Sequence, residues 1–394
     1  MGWYNLSEWL DLVLRWFHVM AAITWIGSTF YFMWLGRIFA SSERQLVGES
    51  GEPWMIHSTG FALTSKFKPG PGEALKMLHW FKRESALTWL SGIVLLFLVY
   101  FLSGGAYLAV KVVSTAELIG YAAFSAALIM ITWVVYDRLW ESALARRPVW
   151  AVGASFAFLM LVAWGLSQIF TGRAVYVYVG SILGTVMVGN VWLRVLPAVR
   201  DMTNASESGS AHNPATWASG QVRSLHNSYL AFPVVALMLS IHRPAIHASP
   251  LNVIVLAVLL IAFVAARHIV VGGRRSKWAL GVVALALTGM IMMTGGTPLQ
   301  DVQRSEAPIE FAVVRALITE RCLGCHSTTP ADRTFGVTPG GVSFDTPEDI
   351  RRFAPRIRQR IVAAEAMPFR NHPRPTAEER DLLGRWVDQG AVLQ

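Results

Sequence analysis

PLNVIVLAVLLIAFVAARHIVVG, residues 250–272, is a run of apolar residues with a basic pair, Arg267-His268, near its end. A helix needs about 20 such residues to cross roughly 30 Å of hydrocarbon. With a window of about 19 residues, seven more segments of this kind stand out, at 9–36, 85–105, 117–138, 148–170, 174–197, 226–243 and 276–295. The sixth in chain order, 226–243, is the weakest, because Pro233 interrupts it and histidine lies at both ends; membrane helices tolerate such a proline. With 54% hydrophobic and only 15% charged residues, an ordinary soluble globule is excluded. The expected class is all-α, a polytopic membrane bundle of about eight transmembrane helices followed by a small helical domain.

Loop charges predict the orientation. Odd-numbered connections carry sixteen basic residues: Arg37, Arg44, Lys66, Lys68, Lys76, Lys82 and Arg83 in the first, Arg138, Arg146 and Arg147 in the third, Arg194, Arg200 and Arg223 in the fifth, and Arg274, Arg275 and Lys277 in the seventh. Even-numbered connections carry Lys111, Arg173 and Arg243. Eight spans then put both termini outside the cytoplasm. The net charge of +9 reports this topology; no basic, aromatic-interleaved patch points to nucleic acid. The first segment has no basic stretch before it and no A-x-A site, and it begins with Glu8 and Asp11, so it reads as a retained helix.

Composition changes after Gly295-Gly296-Thr297-Pro298, where Gln300 to Glu306 is charged and polar. Two domains are expected, 1–297 in the membrane and 298–394 outside it. Helices are predicted from about Pro308 into Cys322, after Thr346-Pro347-Glu348-Asp349, and from the capping box Thr376-Ala377-Glu378-Glu379 to Gly390. Both cysteines of the chain lie in Cys322-Leu323-Gly324-Cys325-His326, the five-residue pattern that attaches a c-type haem. Cys322 and Cys325 would form the thioethers and His326 would ligate iron. A zinc site needs further ligands at recognisable spacing and a thiol redox pair needs a βαβ context; neither is visible. Met367, beside Pro368 between the second and third helices, is the second axial candidate, and Met/His ligation raises the haem potential. His372 competes with it. Attachment of c-type haem on the outer side agrees with the loop charges.

Ionisable residues within spans are functional suspects. Asp11, Arg15 and His18 share one face of the first span; an ion-paired structural stripe accounts for the first two equally well. A larger group lies at the ends of spans: His79, Lys82, Arg83 and Glu84; Asp137 and Arg138; Asn190 and Arg194; Arg223, His226, Asn227 and Tyr229; Arg267 and His268. Helix ends meeting at one level form a polar pocket whose cationic and amide donors suit a planar anion.

Several of these stretches resemble the membrane-bound bacterial urate oxidases, or urate hydroxylases, that carry a C-terminal cytochrome c domain. They are Arg15 to Val19, Ile23 to Phe32, Leu78 to Ser85, Thr88 to Gly92, Arg223 to Leu230, Met238 to Pro244, Arg267-His268, Arg321 to Ser327, Pro339 to Pro347 and Ala366-Met367-Pro368. The resemblance keeps its order over nearly the whole chain. One departure is His57-Ser58-Thr59-Gly60, where the family has a His-Gly-Gly-Gly-like stretch; replacing two glycines removes access to positive-φ backbone.

The resemblance implies a multi-pass protein of the bacterial inner membrane with its N-terminus and class I-like cytochrome c domain on the periplasmic side. It implies oxidation of urate or a related purine to 5-hydroxyisourate, water supplying oxygen, with electrons leaving through haem c to a soluble cytochrome or terminal oxidase. Lys82, Arg223 and Asn227 are then the substrate donors. His79, His226 and His268 are the candidate bases, since imidazole titrates near neutrality, with Glu84 orienting one of them. A cytoplasmic pocket and an external haem are separated by roughly 30 Å of hydrocarbon. That gap leaves room for a second, b-type haem, for which His18 and His242 are the outer ligand candidates and His226 with His268 the inner ones. The alternative function is a membrane cytochrome subunit that relays electrons from quinol or a partner dehydrogenase without acting on urate.

Overall fold

The computed structural model describes residues 3–45, 54–57, 60–63, 82–102, 107–108, 114–247, 249, 251–272, 276–294, 308–331, 338, 342–363, 367 and 375–393. Helices dominate them: α1 (Trp3–Gln45), α2 (Arg83–Phe97), α3 (Thr115–Glu141), α4 (Pro148–Ser167), α5 (Gly172–Asn190), α6 (Leu196–Ser208), α7 (Pro214–Ser240), α8 (Pro244–His247), α9 (Asn252–Gly272), α10 (Trp278–Thr294), α11 (Phe311–Arg321), α12 (Pro347–Ile357) and α13 (Ala377–Asp388). Wide π turns follow α2 at Leu98–Leu102, α5 at Val191–Val195 and α12 at Arg358–Ala363. The all-α expectation misses one antiparallel hairpin, β1 (Trp54–His57) and β2 (Gly60–Leu63), paired from Trp54↔Leu63 to His57↔Gly60. Four-residue strands are too short to show a period. Ser58 and Thr59 lie between the paired His57 and Gly60 and outside the described residues.

Local chemistry sets the helix ends. Ser114 and Glu117 close a capping box on α3, Thr346 caps α12 with Pro347 at the first turn, and Thr376 and Glu379 close a box on α13. Gly209 ends α6 in the left-handed region at φ 67°. Among the described residues, six helices are long and apolar enough to cross a bilayer: Trp9–Ile38, Arg83–Leu102, Thr115–Glu141, Pro148–Ser167, Gly172–Ser208 and Asn252–Val271. Of the eight expected segments, 276–295 corresponds to the 17-residue α10. The remaining one, 226–243, falls largely in α7, whose apolar character is diluted by Arg223, His226, Asn227 and Ser228. On α1, Trp9, Trp16 and Ile23 repeat every seven residues and are 66%, 63% and 60% exposed, an apolar stripe that water does not favour.

The chain folds as two compact bodies. One comprises Met1–Trp9, Leu96–Gly180 and Val235–Gln394; the other comprises Leu10–Leu95 and Ser181–Val234. In the first, α9 packs on α10 and α4, and Ser125 bonds the Tyr178 hydroxyl. The C-terminal helices in this body share a core of Phe311, Val314, Leu317, Ile318, Ile350, Ala354, Leu383 and Trp386; the 311, 314, 317 and 318 spacing gives α11 one apolar face. In the second body Trp25 of α1 packs between Met187 of α5 and Ala231 of α7.

Candidate functional site

The two cysteines sit where α11 unwinds. Cys322 N–H donates to Ile318 O at 2.8 Å, and His326 N–H returns to Cys322 O at 2.9 Å, so one turn gathers both thiols and the imidazole. Neither thiol is in a disulfide. His326 is held from outside this turn: Phe344 N–H donates to its carbonyl at 2.8 Å, and Nδ1 lies 2.7 Å from Val342 O. A carbonyl there makes Nδ1 the protonated nitrogen and leaves Nε2 as the lone pair, the arrangement that orients a metal-binding imidazole. Cys322, Leu323 and Met367 pack against the same core. Burial pushes the Cys322 thiol up to about 12, which disfavours the thiolate a redox pair requires. Among the described residues no group of three or more His, Cys, Asp or Glu is placed to hold a metal ion. Two cysteines and a histidine with Nε2 directed away from its carbonyl partner are a donor set that fits covalent attachment of a haem.

A second polar constellation lies in the body formed by α1, α2 and parts of α5 and α7. His18 Nδ1 is 3.0 Å from both Thr88 O and Ser91 Oγ. Gly92 permits this approach, since a Cβ there would lie 3.0 Å from His18 Cε1. Trp89 Nε1–H donates to Thr185 Oγ1 at 2.9 Å, and Trp192 Nε1–H donates to Ser85 Oγ at 3.3 Å, tying α2 to α5 and to the π turn that follows it. Asp11 and Arg15 form the i,i+4 ion pair at 2.7 Å, in line with the structural reading of that stripe.

At the end of α5, Asn190 Nδ2–H donates to Asn227 Oδ1 at 2.9 Å, and Asn227 Nδ2–H donates to Met187 O at 2.8 Å. Asn190, Asn227 and Arg223 are all buried. Arg223 and Asn227, four apart, share one face of α7, whereas His226 is about 100° around from Asn227 and half-buried. One turn toward the start of α7, Gly220 meets the chain just past the π turn: a Cβ there would lie 2.7 Å from Ala198 Cβ and 3.4 Å from Arg194 O. Buried amide contacts and small residues of this kind join helices in a membrane.

Of the other expected residues, Lys82 precedes α2 and Glu84 opens it, both half-buried. They belong to the same body as Arg223, His226 and Asn227. His268 lies in the first body, its ring 5.2 Å from that of Trp278 and next to the buried Arg267. His242 is exposed in the turn after α7, in that first body, and His18 is in the second. His79 and His372 lie outside the described residues. Sequence reasoning missed the partners Thr88, Ser91, Met187 and Thr185. The only signals for them were the polar residues inside the Thr88 to Gly92 stretch.

Residues 4–295 match the family described as Urate oxidase N-terminal. No curated protein and no solved structure matches the chain. The match contains Lys82, Glu84, Arg223, His226, Asn227, His268 and the whole polar constellation around Asn190 and His18. The chain belongs to the urate oxidase N-terminal family, and its chemistry is that of a urate-related oxidoreductase.

Proposed function

We propose that this protein is a membrane-bound urate oxidase that uses water as its oxygen source and delivers electrons to a haem carried by its own C-terminal domain. The observation that carries the reading is the pairing of two features in one chain: a family match over residues 4–295 and, beyond it, a Cys-x-x-Cys-His turn whose His326 is set with Nε2 bare. Eight helices cross the membrane, α7 and α10 included, with 1–297 as the membrane domain and 298–394 as a periplasmic cytochrome c domain. The exposed apolar stripe of α1 supports the lipid setting.

Urate and water become 5-hydroxyisourate, two protons and two electrons. Urate is an anion near neutral pH, so Arg223 and Lys82 would bind it by charge-assisted hydrogen bonds. The structure suggests a supporting part for Asn227, whose amide holds α5 against α7 and keeps Arg223 facing the same side. His226, His268 and His79 remain the candidates that take the substrate proton or activate water, with Glu84 orienting one of them. His18, with Nδ1 fixed on Thr88 O, presents Nε2 as a base or a ligand. Cys322, Cys325 and His326, with Met367 as the further ligand candidate, would hold a c-type haem, which would supply one-electron acceptance at raised potential. Urate yields two electrons and one haem would accept one, so the reaction requires either a radical intermediate or reoxidation by a soluble cytochrome or terminal oxidase between transfers.

Anaerobic mixing of the purified protein with urate, followed at the haem absorption band, tests the reading. Urate-dependent reduction is expected, lost in Arg223→Gln and slowed in whichever of His226→Ala, His268→Ala and His79→Ala removes the base. Reduction by quinol with none by urate would establish the relay subunit instead. Pyridine haemochrome before and after acidified acetone counts the haems, since a b-type haem extracts and a c-type haem stays.

A further inference from the structure

Within the first body, three connections between helices come together around Arg173, and the third of them touches the C-terminal domain. Thr171 ties the first to the second: its N–H donates to Leu108 O at 2.9 Å and its Oγ1 to Tyr107 O at 2.7 Å. The Arg173 guanidinium lies 4.1 Å over the Tyr107 ring and 6.0 Å from that of Tyr100. Gly172 lets the third approach, for a Cβ on it would fall 1.9 Å from His247 O. His247, only 8% exposed, sets its ring edge-on to Tyr176 at 6.4 Å. The Arg358–Ala363 turn of the C-terminal domain packs on α8.

Among the described residues, this junction is short of negative charge. The buried Arg173 Nε and His247 Nε2 have no hydrogen-bond partner. Desolvation first, and then the charges of Arg173 and Arg356, lower the Arg360 guanidinium. Burial first, then Arg173, pushes the His247 imidazole down to about 4. Among the described residues no carboxylate is paired with Arg173 or Arg360. Arg358, two residues away, forks onto Asp388 at 2.6 and 3.0 Å, so the segment does pair its arginines where a carboxylate exists. Like charges drawn together around unfilled buried donors are costly unless an anion joins them.

We propose that Arg173 and Arg360 clamp a carboxylate between the membrane domain and the C-terminal domain, and that this carboxylate is a propionate of the haem attached at Cys322 and Cys325. It rests on the haem reading above. Ile361 lies in the core against which Cys322 and Met367 pack, and Val362 packs beside it, so the turn that carries Arg360 borders the core at the cysteine motif while Arg173 belongs to the membrane domain. A planar carboxylate accepts from both guanidinium groups. The haem then forms part of the joint between the two domains, and a membrane-domain arginine helps set its potential.

The test is a redox titration of wild type, Arg173→Gln, Arg173→Lys, Arg360→Gln and the double glutamine variant, after pyridine haemochrome has established covalent haem in each. Removing a nearby cation favours the ferric form. Each glutamine variant is expected to lower the reduced-to-oxidised ratio at fixed ambient potential about threefold, roughly 30 mV at 59 mV per tenfold for one electron. Arg173→Lys should keep most of the wild-type value, and the double variant should fall short of the sum. Arg360 is exposed, so Arg360→Gln folds and decides the matter should Arg173→Gln fail to accumulate. Covalent haem with an unchanged potential in Arg173→Gln and Arg360→Gln overturns the clamp and leaves the haem reading standing; absence of covalent haem overturns both. A wild-type potential that moves with added phosphate or acetate, and no longer does so in Arg173→Gln, would mean a free anion fills the site, which overturns the propionate assignment.

Discussion

Replacing Asn190 and Asn227 by alanine, singly and together, probes the contact that holds the polar constellation. The two residues are 1% and 6% exposed and share one bond of 2.9 Å; Asn227 makes a second, of 2.8 Å, to Met187 O. Side-chain hydrogen bonds between membrane helices average about 0.6 kcal/mol and reach about 1.7. Asn190→Ala removes the shared bond, so a loss of roughly 0.6–1.7 kcal/mol is expected. Asn227→Ala removes both bonds and should cost roughly 1–3 kcal/mol. The double variant loses the shared bond only once, so it should be more stable than the sum of the singles by the worth of that bond, again roughly 0.6–1.7 kcal/mol. Thermal or denaturant unfolding of the four solubilised proteins measures this coupling. A coupling below about 0.3 kcal/mol, the range of independent sites, would refute the direct contact. It would also remove the reason for treating Asn227 as a support rather than a urate ligand.

Gly172→Ala pits a helix-propensity gain of about 1 kcal/mol against a Cβ placed 1.9 Å from His247 O and 3.1 Å from Asn252 Nδ2. Overpacking of about 1–3 kcal/mol or more should win, seen as a lower Tm and weaker amide protection over residues 244–247. Ile318→Ala opens the C-terminal core at a residue 1% exposed; a loss of about 2–5 kcal/mol should appear as faster hydrogen exchange across α11 and α13. Asp345 is held well below the usual carboxylate range by the Ser327 hydroxyl, with the Thr328 N–H and Ser343 hydroxyl adding to it. Glu379 is lowered chiefly by Arg321 at 2.9 Å. Depressed carboxylates stabilise the fold above their unfolded values of about 4 and lose that contribution as pH falls through the folded ones. Acid unfolding of this domain should therefore become less pH-dependent below about pH 4 in Asp345→Asn and Glu379→Gln, against wild type.

Much of the helical architecture was legible because its signals are local. Thr346-Pro347 and Thr376 to Glu379 mark helix starts by side-chain chemistry confined to one turn, and both capped ends appear as read. The hairpin at Trp54–Leu63 was not legible, since Trp54 and Leu63 pair through backbone groups that leave no mark in composition. The polar site divides the same way. Arg223 and Asn227 are recognisable as a face of α7, but the engagement of Asn227 with Asn190, and of His18 with Thr88 O, depends on tertiary contacts 37 and 70 residues apart. His247 and Tyr107 escaped notice because their significance arises only where separate connections meet.

The π turn at Val191–Val195 acts as a splice in the long apolar helix Gly172–Ser208. Asn190 and Ala198 both meet α7, one at Asn227 and the other at Gly220. Eight residues of ordinary helix would turn their directions about 80° apart, and only one of the two could face α7. A π turn absorbs one extra residue, which brings the difference back to about 20°. Deleting a single residue between Val191 and Val195 should therefore give a straighter, more regular helix that lets go of one of its two holds on α7. The irregular turn is what allows one rod to be gripped at both points.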